Sequence, residues 1–183
     1  MACHNGVRVV QNLSRWFAYP FVWAVVVLIV FASTPSGARD DKTDCVAASG
    51  DYRIDLPDGL ARDAVNNGTR LPAILYVHGL GGSSQETMRN KELRDLANRK
   101  GAALIAVNGR AHSWTFENAV ERGTIRDERA YFREVIADAT KRFPLDHARI
   151  IAAGFSIGAS MVWNLACYEP QNYAGFITIA GTF

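Results

Sequence analysis

Four short apolar runs divide the chain from residue 73 onward into repeating units. Each run consists almost entirely of apolar residues and is bounded by turn-forming residues, which is typical of strands buried on both faces of a sheet. Between the runs, apolar side chains recur every three or four residues, as on one side of a helix. The predicted strands cover residues 73–77, 102–107, 150–153 and 176–179, and the predicted helices cover 84–100, 124–143 and 159–167. Strands that alternate with helices predict an α/β fold, with a mostly parallel sheet and helices on both faces.

The pattern is weaker between these units. Tyr52, Ile54 and Leu56 alternate with polar neighbours, which predicts one further strand that is half buried. Residues 57–68 are rich in turn formers and are predicted to form turns. Residues 108–123 show no period and are predicted to form a long loop, and long loops in compact domains often carry function.

The start of the chain has the order of an export signal. Two basic residues, Arg8 and Arg15, precede an apolar run at residues 21–32, and small residues follow it. No acidic residue lies in this part of the chain. This order predicts a signal that is cleaved after Ala38 or after Ala32, and therefore a secreted or periplasmic protein.

An uncleaved membrane anchor is the alternative for the same segment. The apolar stretch can be extended back over residues 16–32, which reaches the short limit for a membrane span. The protein would contact a membrane only in that case. Under either interpretation, a linker is predicted over residues 39–50 and a single domain over residues 51–183.

The net positive charge of the chain comes from the predicted export signal. The full sequence of 183 residues has a formal net charge of +2, with 20 basic and 18 acidic residues. Arg8 and Arg15 are the basic residues of the predicted signal, so the remainder is formally neutral. A neutral domain argues against a nucleic-acid partner, because binding to phosphates requires an excess of lysine and arginine.

Two cysteines, Cys45 and Cys167, remain after the predicted signal. They could pair in an oxidising compartment, or they could be two buried thiols, and their spacing does not decide between these alternatives. The sequence contains no spacing typical of metal ligands, so neither a metal nor a cofactor is predicted.

The pattern Gly-x-Ser-x-Gly lies between a predicted buried strand and a predicted helix. Gly154 and Gly158 allow the tight turn that lifts the hydroxyl of Ser156 above the end of the sheet. The backbone N–H of Ile157, at the helix start, would point into the same space as an anion donor. This context predicts a nucleophile elbow, and the alternative is a glycine-lined turn with an inert serine.

A second glycine-rich turn follows the strand at residues 73–77. It begins with His78 and Gly79, and the N–H of Leu80 is predicted to be the second donor of an oxyanion hole. The alternative is an ordinary strand-to-helix turn. His78 is predicted to order this loop by hydrogen bonding rather than to act as a base.

At this point the chain resembles the secreted polyhydroxybutyrate depolymerase-like esterases of the α/β-hydrolase superfamily, which also include feruloyl and acetylxylan esterases. The matching segments are residues 76–82, 126–128, 142–150 and 154–161. The resemblance implies ester hydrolysis through an acyl-enzyme on Ser156, with Leu80 and Ile157 holding the oxyanion. Members often carry cysteine at the position of Leu80, a difference that leaves the backbone donor intact.

The resemblance also implies a role for Trp114, because the family carries a tryptophan on a substrate-side loop. Packing of the loop is the alternative. His112 follows the carboxyl end of a neighbouring strand and could line the same pocket, as a substrate contact or as a base, and plain solvent exposure is the alternative. The implied substrates are polyesters, acylated glycans and small esters.

The residues after Ser156 depart from the family pattern, in which an acid and then a histidine follow the serine. Glu169 is the only carboxylate there, and the histidines all precede the serine: His4, His78, His112 and His147. His147 is predicted to lie at the far end of the strand that leads to the elbow. We therefore expect an incomplete α/β-hydrolase domain that lacks its C-terminal strand units, so that residues 176–179 form an unprotected sheet edge.

Two further functions fit the same residues. A hydrolase-like fragment without the triad acid and histidine would be non-catalytic, because a serine without a base is a weak nucleophile. An acyltransferase would share Ser156 and differ only in the group that resolves the acyl-enzyme.

Overall fold

The computed structural model describes residues 43–57, 59–116 and 126–182, which form a six-stranded sheet with helices packed against it. The strands are β1 (Thr43–Ala47), β2 (Gly50–Asp55), β3 (Leu71–Val77), β4 (Ala103–Val107), β5 (Leu145–Phe155) and β6 (Gly175–Ile179). The helices are α1 (Leu60–Asn67), α2 (Ser84–Arg89), α3 (Lys91–Arg99), α4 (Glu128–Arg142) and α5 (Ile157–Tyr168), with short 3-10 turns at Arg110–His112 and Pro170–Asn172. The predicted export signal and its cleavage sites lie outside the described residues.

The order of the strands places β3 and β5 side by side. The order is β1-β2-β4-β3-β5-β6, in which β4, β3, β5 and β6 are parallel, and β1 and β2 are added antiparallel at one edge. Val77 is paired with Gly154, so β3 and β5 end next to each other. The loops after these two strands therefore start together, at the edge where ligands bind in parallel sheets.

Hydrophobic side chains are buried on both faces of the sheet. On β3, Ala73, Leu75 and Val77 belong to the larger core, which also contains residues of α4 and α5. Ile74 and Tyr76 pack instead against a smaller cluster that includes Met88 and Ala97 of α2 and α3. Helices thus cover both faces, and the predicted α/β fold with a mostly parallel sheet is confirmed.

Two elements lie where the sequence pattern predicts none. The predicted linker contains β1, which pairs with β2 through the register of Cys45 with Tyr52. The predicted turn region contains α1, which ends at Gly68 in the left-handed conformation. Both elements bury only small or sulfur-bearing side chains, Cys45 and Ala47 in β1 and Ala64 in α1, and their larger apolar side chains, such as Val46 and Val65, are exposed.

Helix boundaries also differ from the prediction at two places. The predicted helix over residues 84–100 is broken at Asn90, whose side chain accepts a hydrogen bond from Leu93 N at 3.0 Å and starts α3. The predicted start of the next helix at residue 124 is wrong, since α4 begins at Glu128 and Asp127 caps it by accepting from Ala130 N at 3.0 Å. A short polar side chain at either position satisfies a backbone donor and sets the helix start.

The cysteine pairing left open by the sequence is not present. Cys45 is buried in β1 at one edge of the sheet, whereas Cys167 is exposed near the end of α5, which packs on β5 and β6. The two residues therefore sit on distant elements and form no disulfide.

Candidate active site

Ser156 occupies a strained turn between β5 and α5. Its backbone angles are φ 54° and ψ −125°, a region that side-chain-bearing residues rarely adopt. The Ser156 amide donates to Ile179 O at 2.9 Å, which ties the turn to the end of β6. Such strain persists only where the surrounding structure enforces it, and it is concentrated at functional sites.

The two glycines of the motif are required by close approach. A Cβ on Gly154 would lie 2.5 Å from Gly158 O, and a Cβ on Gly158 would lie 2.2 Å from Val77 O. The start of α5 therefore packs directly against the backbone at the end of β3. This approach brings the turn after β5 beside the loop after β3.

Gly181 is a third glycine at which two parts of the backbone come close together, and the sequence pattern does not predict it. A Cβ there would lie 2.4 Å from the Cβ of Ala159 and 2.9 Å from Ser156 O. The chain that leaves β6 thus supports the turn from the other side. Its position just after the predicted strand at residues 176–179 is the only signal for it in the sequence.

The N–H of Ile157 lies at the first position of α5, where a helix has no internal acceptor for it. The preceding carbonyl, Ser156 O, accepts from Ala159 N at 2.9 Å and from Ser160 N at 3.1 Å. The amide of Ile157 is therefore available to an anion, and the positive end of the helix dipole favours a negative charge at that place.

The loop over residues 78–82, here called the oxyanion loop, touches the serine turn. A Cβ on Gly79 would lie 3.5 Å from the Cβ of Ser156 and 3.1 Å from Phe155 Cδ1. Only a glycine lets the two backbones come this close without displacing Phe155. The structure thus brings together Ser156, Ile157 and the oxyanion loop.

The Gly79–Leu80 peptide is held by its carbonyl. Gly79 O accepts from His78 Nδ1 at 2.7 Å and from Gly82 N at 3.1 Å. In a planar trans peptide the N–H points away from the preceding carbonyl, so these two bonds direct the Leu80 N–H to the opposite side. Among the described loops and helix caps, the Leu80 amide donates to no carbonyl.

His78 is a buried structural histidine. Its Nε2 accepts from Gly109 N at 3.0 Å, so Nδ1 carries the proton that is donated to Gly79 O. Burial lowers the pKa of the imidazole below its ordinary value, which favours the neutral ring. With both nitrogens engaged, His78 orders the loop, in the manner the sequence predicts.

Trp114 lies beneath the oxyanion loop. Its side chain is fully buried, and its Nε1 donates to His78 O at 2.8 Å. The indole also stacks on Phe132, with 5.5 Å between ring centroids. A side chain without exposed surface cannot touch a substrate directly, so the structure favours packing over the substrate-side role.

His112 lies on the same side of the sheet but is exposed. Its Nδ1 contacts Gly82 O at 3.0 Å, and its carbonyl accepts from Gly81 N at 2.9 Å. Both partners belong to the oxyanion loop. Within the described residues, neither His112 nor any other histidine is hydrogen-bonded to the Ser156 hydroxyl.

His147 and Glu169 lie away from the serine. His147 lies in the irregular first part of β5, and the regular part from Ile150 to Ser156 alone spans on the order of 20 Å at the rise of a strand. Glu169 follows the far end of α5, where it pairs with Arg133 and accepts from Asn172 Nδ2 at 3.0 Å. Neither residue can exchange a proton with Ser156. His4 lies outside the described residues.

A polar network under the loop after β4 has no local sequence signal. Asn108 Oδ1 accepts from Ser84 N at 3.1 Å, and the backbone N–H of Asn108 donates to Tyr131 Oη at 3.0 Å. Buried Arg126 donates to Asn108 O at 3.0 Å and to Glu128 Oε2 at 2.9 Å. The network thus joins residue 84 at the start of α2, residue 108 after β4, and residues 126–131 at the start of α4.

In the described part of the chain, no three His, Cys, Asp or Glu residues are grouped as a metal ion would require. A search of the same residues for a helix with the length and apolar character of a membrane span finds none.

Comparisons with known proteins agree with this geometry. A family model described as alpha/beta hydrolase fold matches residues 72–183. NocK of Nocardia uniformis subsp. tsuyamanensis, a protein that carries the name of an esterase, is 32% identical over 112 residues, which are 60% of this chain and 33% of NocK.

Two solved structures from Staphylococcus aureus share the fold. The fluorophosphonate-binding serine hydrolase FphF is 21% identical with a TM-score of 0.65, over 78% of this chain and 56% of FphF. The S-formylglutathione hydrolase FrmB is 19% identical with a TM-score of 0.62, over 78% of this chain and 57% of FrmB. The chain thus spans about a third of the length of NocK and little more than half of each structure.

Proposed function

Because the chain belongs to the alpha/beta hydrolase fold family, we propose that it is a serine-dependent carboxylic-ester hydrolase that acts through an acyl-enzyme on Ser156. The observation that carries this proposal is the strained backbone of Ser156 beside Gly79 of the oxyanion loop. An inert serine has no need of that conformation, whereas a nucleophile in front of two amide donors does.

The proposed reaction proceeds in two halves. Ser156 Oγ bonds to the ester carbonyl carbon while a base takes the hydroxyl proton, and the carbonyl oxygen becomes an oxyanion. This oxygen accepts from the N–H groups of Leu80 and Ile157. When the tetrahedral species collapses, the alcohol leaves with the proton and the acyl-enzyme remains, to be hydrolysed by water in the same manner.

The base lies outside the described residues in this proposal. His78 has both ring nitrogens engaged, His112 is bound to Gly82, and His147 is at the other end of β5. Oxyanion stabilisation without a base would retain only a small part of the rate.

The substrate is proposed to be an ester with an apolar acyl part. Phe155 precedes Ser156 and Leu80 follows Gly79, which contacts the serine turn, and their side chains are 47% and 55% exposed, so they offer apolar surface near the carbonyl. A polyester of the kind that polyhydroxybutyrate depolymerases hydrolyse fits this surface. Acylated glycans and small esters are the alternative substrates. Secretion or a periplasmic location belongs to the same proposal, since it rests on the predicted export signal.

A fluorophosphonate probe tests the proposal, because it reacts only with an activated serine. We expect the full-length protein, which includes the base, to be labelled, labelling to disappear in Ser156→Ala, and labelling to persist in Ser160→Ala. Ser160 is a matched control, because it lies one turn further along α5.

Undiminished labelling of the Ser156→Ala variant would refute the assignment of the nucleophile. A folded full-length protein with wild-type sequence that is not labelled would favour the non-catalytic alternative. Release of free acid from an ester in water, without transfer to an added alcohol, would distinguish a hydrolase from an acyltransferase.

A further inference from the structure

His112 and the oxyanion loop are joined by a reciprocal pair of hydrogen bonds. Gly81 N donates to His112 O at 2.9 Å, and His112 Nδ1 donates to Gly82 O at 3.0 Å. The main chain and the side chain of His112 thus form hydrogen bonds with two consecutive residues of the loop. No other part of the function described above uses His112.

The backbone at this position is strained in a way that serves these contacts. Ala111 and His112 have φ of 50° and 59°, two consecutive left-handed residues of which neither is glycine. Such a conformation is unfavourable for residues with a Cβ and persists only when its surroundings enforce it. Here the turn allows both the carbonyl and the ring of His112 to face the oxyanion loop.

The contacts reach the proposed oxyanion donor in two steps. The ring of His112 holds Gly82 by donating to the carbonyl of Gly82. The amide of Gly82 in turn donates to Gly79 O at 3.1 Å. Gly79 O in turn sets the direction of the Leu80 N–H, because the peptide between them is planar. A loose Gly82 would remove one of the two donors that hold this peptide plane.

We propose that His112 is a positioning residue that holds the Leu80 N–H in its oxyanion-binding direction through Gly81 and Gly82. This role deepens the proposed ester hydrolysis and rests on it. His112 then acts on the donor and not on the Ser156 proton. Leu80 is itself exposed, so the loop needs such an external attachment to keep its direction.

His112→Ala removes the ring donor and tests the proposal in the full-length protein with a p-nitrophenyl ester. We expect kcat to fall roughly tenfold or more with KM changed less than about twofold, because small misplacements of transition-state donors lower turnover by up to about a hundredfold. His112→Asn should restore most of kcat, since its amide nitrogen replaces Nδ1 and asparagine tolerates the left-handed conformation. His147→Ala is the matched control, because this exposed histidine lies at the opposite end of β5 and should leave both constants unchanged.

Amide hydrogen exchange gives a second readout that does not depend on activity. We expect faster exchange at residues 79–82 in His112→Ala than in the wild type, with residues 154–160 unchanged and with wild-type exchange in His112→Asn. Unchanged exchange and unchanged kcat in His112→Ala would overturn the proposal. A lower kcat without faster loop exchange would also overturn it, because His112 would then act on the reaction directly.

The two proposals fail in different ways. If the wild-type protein hydrolyses no ester, the proposed function fails, while the exchange measurement still decides whether His112 holds the loop. If esters are hydrolysed and His112→Asn does not restore kcat, the donor role of the ring fails and the hydrolase assignment remains.

Discussion

At the scale of single residues, His78 connects the end of β3 to the loop after β4. Its ring donates to Gly79 O and accepts from Gly109 N, which requires the neutral form with the proton on Nδ1. A second proton on Nε2 would abolish the bond from Gly109 and place a charge among buried groups. Burial accordingly lowers the pKa of His78.

Stability should therefore depend on the protonation of His78. The unfolded chain binds this proton at an ordinary pKa of about 6.5, while the folded protein resists it, so we expect the free energy of unfolding to decrease as the pH falls below about 6.5. His78→Asn should be less stable at neutral pH, because it loses the acceptor for Gly109, but its stability should depend less on pH.

Urea unfolding between pH 5 and pH 7.5 measures this difference. His147→Ala serves as the control. Because this histidine is exposed and lies outside the loop, the variant should show the same pH dependence of the free energy of unfolding as the wild type. If the free energy of unfolding changes equally with pH in the wild type and in His78→Asn, the account is contradicted, because the proton uptake of the His78 ring would then not be coupled to unfolding.

At the scale of elements, the start of α5 is packed against the end of β3 without any side chain between them. A Cβ on Gly158 would lie 2.2 Å from Val77 O and 2.4 Å from His78 O, and neither backbone atom can move without displacing β3. The contact links the serine turn to the oxyanion loop, so the geometry of the site is a property of two elements and not of one motif.

Gly158→Ala should consequently both destabilise the fold and impair the site. We expect a loss of about 1–3 kcal/mol in the free energy of unfolding, the usual cost of overpacking, together with weaker fluorophosphonate labelling. Gly175→Ala is the matched control, because a Cβ there meets only Ile151 Cγ1 at 4.0 Å. Equal stability of the two variants in urea would contradict the packing argument.

The local part of this arrangement could be predicted from the sequence. The buried strands before His78 and before Gly154 have continuous apolar runs, and the glycines after them mark turns, so the elbow and the oxyanion loop have signals of their own. Each signal lies within a few residues of the group it describes.

The remainder depends on contacts between distant parts of the chain. His112 meets Gly82 from 30 residues away, in a conformation that its residue type does not favour. Asn108 and Arg126 are 18 residues apart, one after β4 and one before α4, and they meet only in the folded chain. β1 and α1 bury no large apolar side chain, so their presence is decided by strand pairing and by packing against the rest of the chain.

At the scale of the whole molecule, β6 is the last strand of the described sheet and pairs with β5 alone. Its side chains Ile177 and Ile179 are 48% and 50% exposed, and neighbouring Trp163 and Tyr168 of α5 are also exposed. An apolar strand with an unpaired side can pair with another chain.

We therefore expect a polypeptide of residues 39–183 to self-associate in a concentration-dependent manner. Ile177→Lys should weaken the association, since a charge on an edge strand opposes pairing. Val65→Lys is the control, because Val65 is an exposed apolar residue of α1 and not of the sheet edge. Light scattering that shows equal association for both variants would contradict a role for β6.

The central claim is that Ser156 faces two backbone donors, the amides of Leu80 and Ile157. A crystal structure of the protein after reaction with a small fluorophosphonate tests it most directly. We expect phosphorus bonded to Ser156 Oγ, with its non-bridging oxygen about 2.7–3.1 Å from both amide nitrogens. An adduct on another residue, or a phosphoryl oxygen that contacts neither amide, would contradict the account.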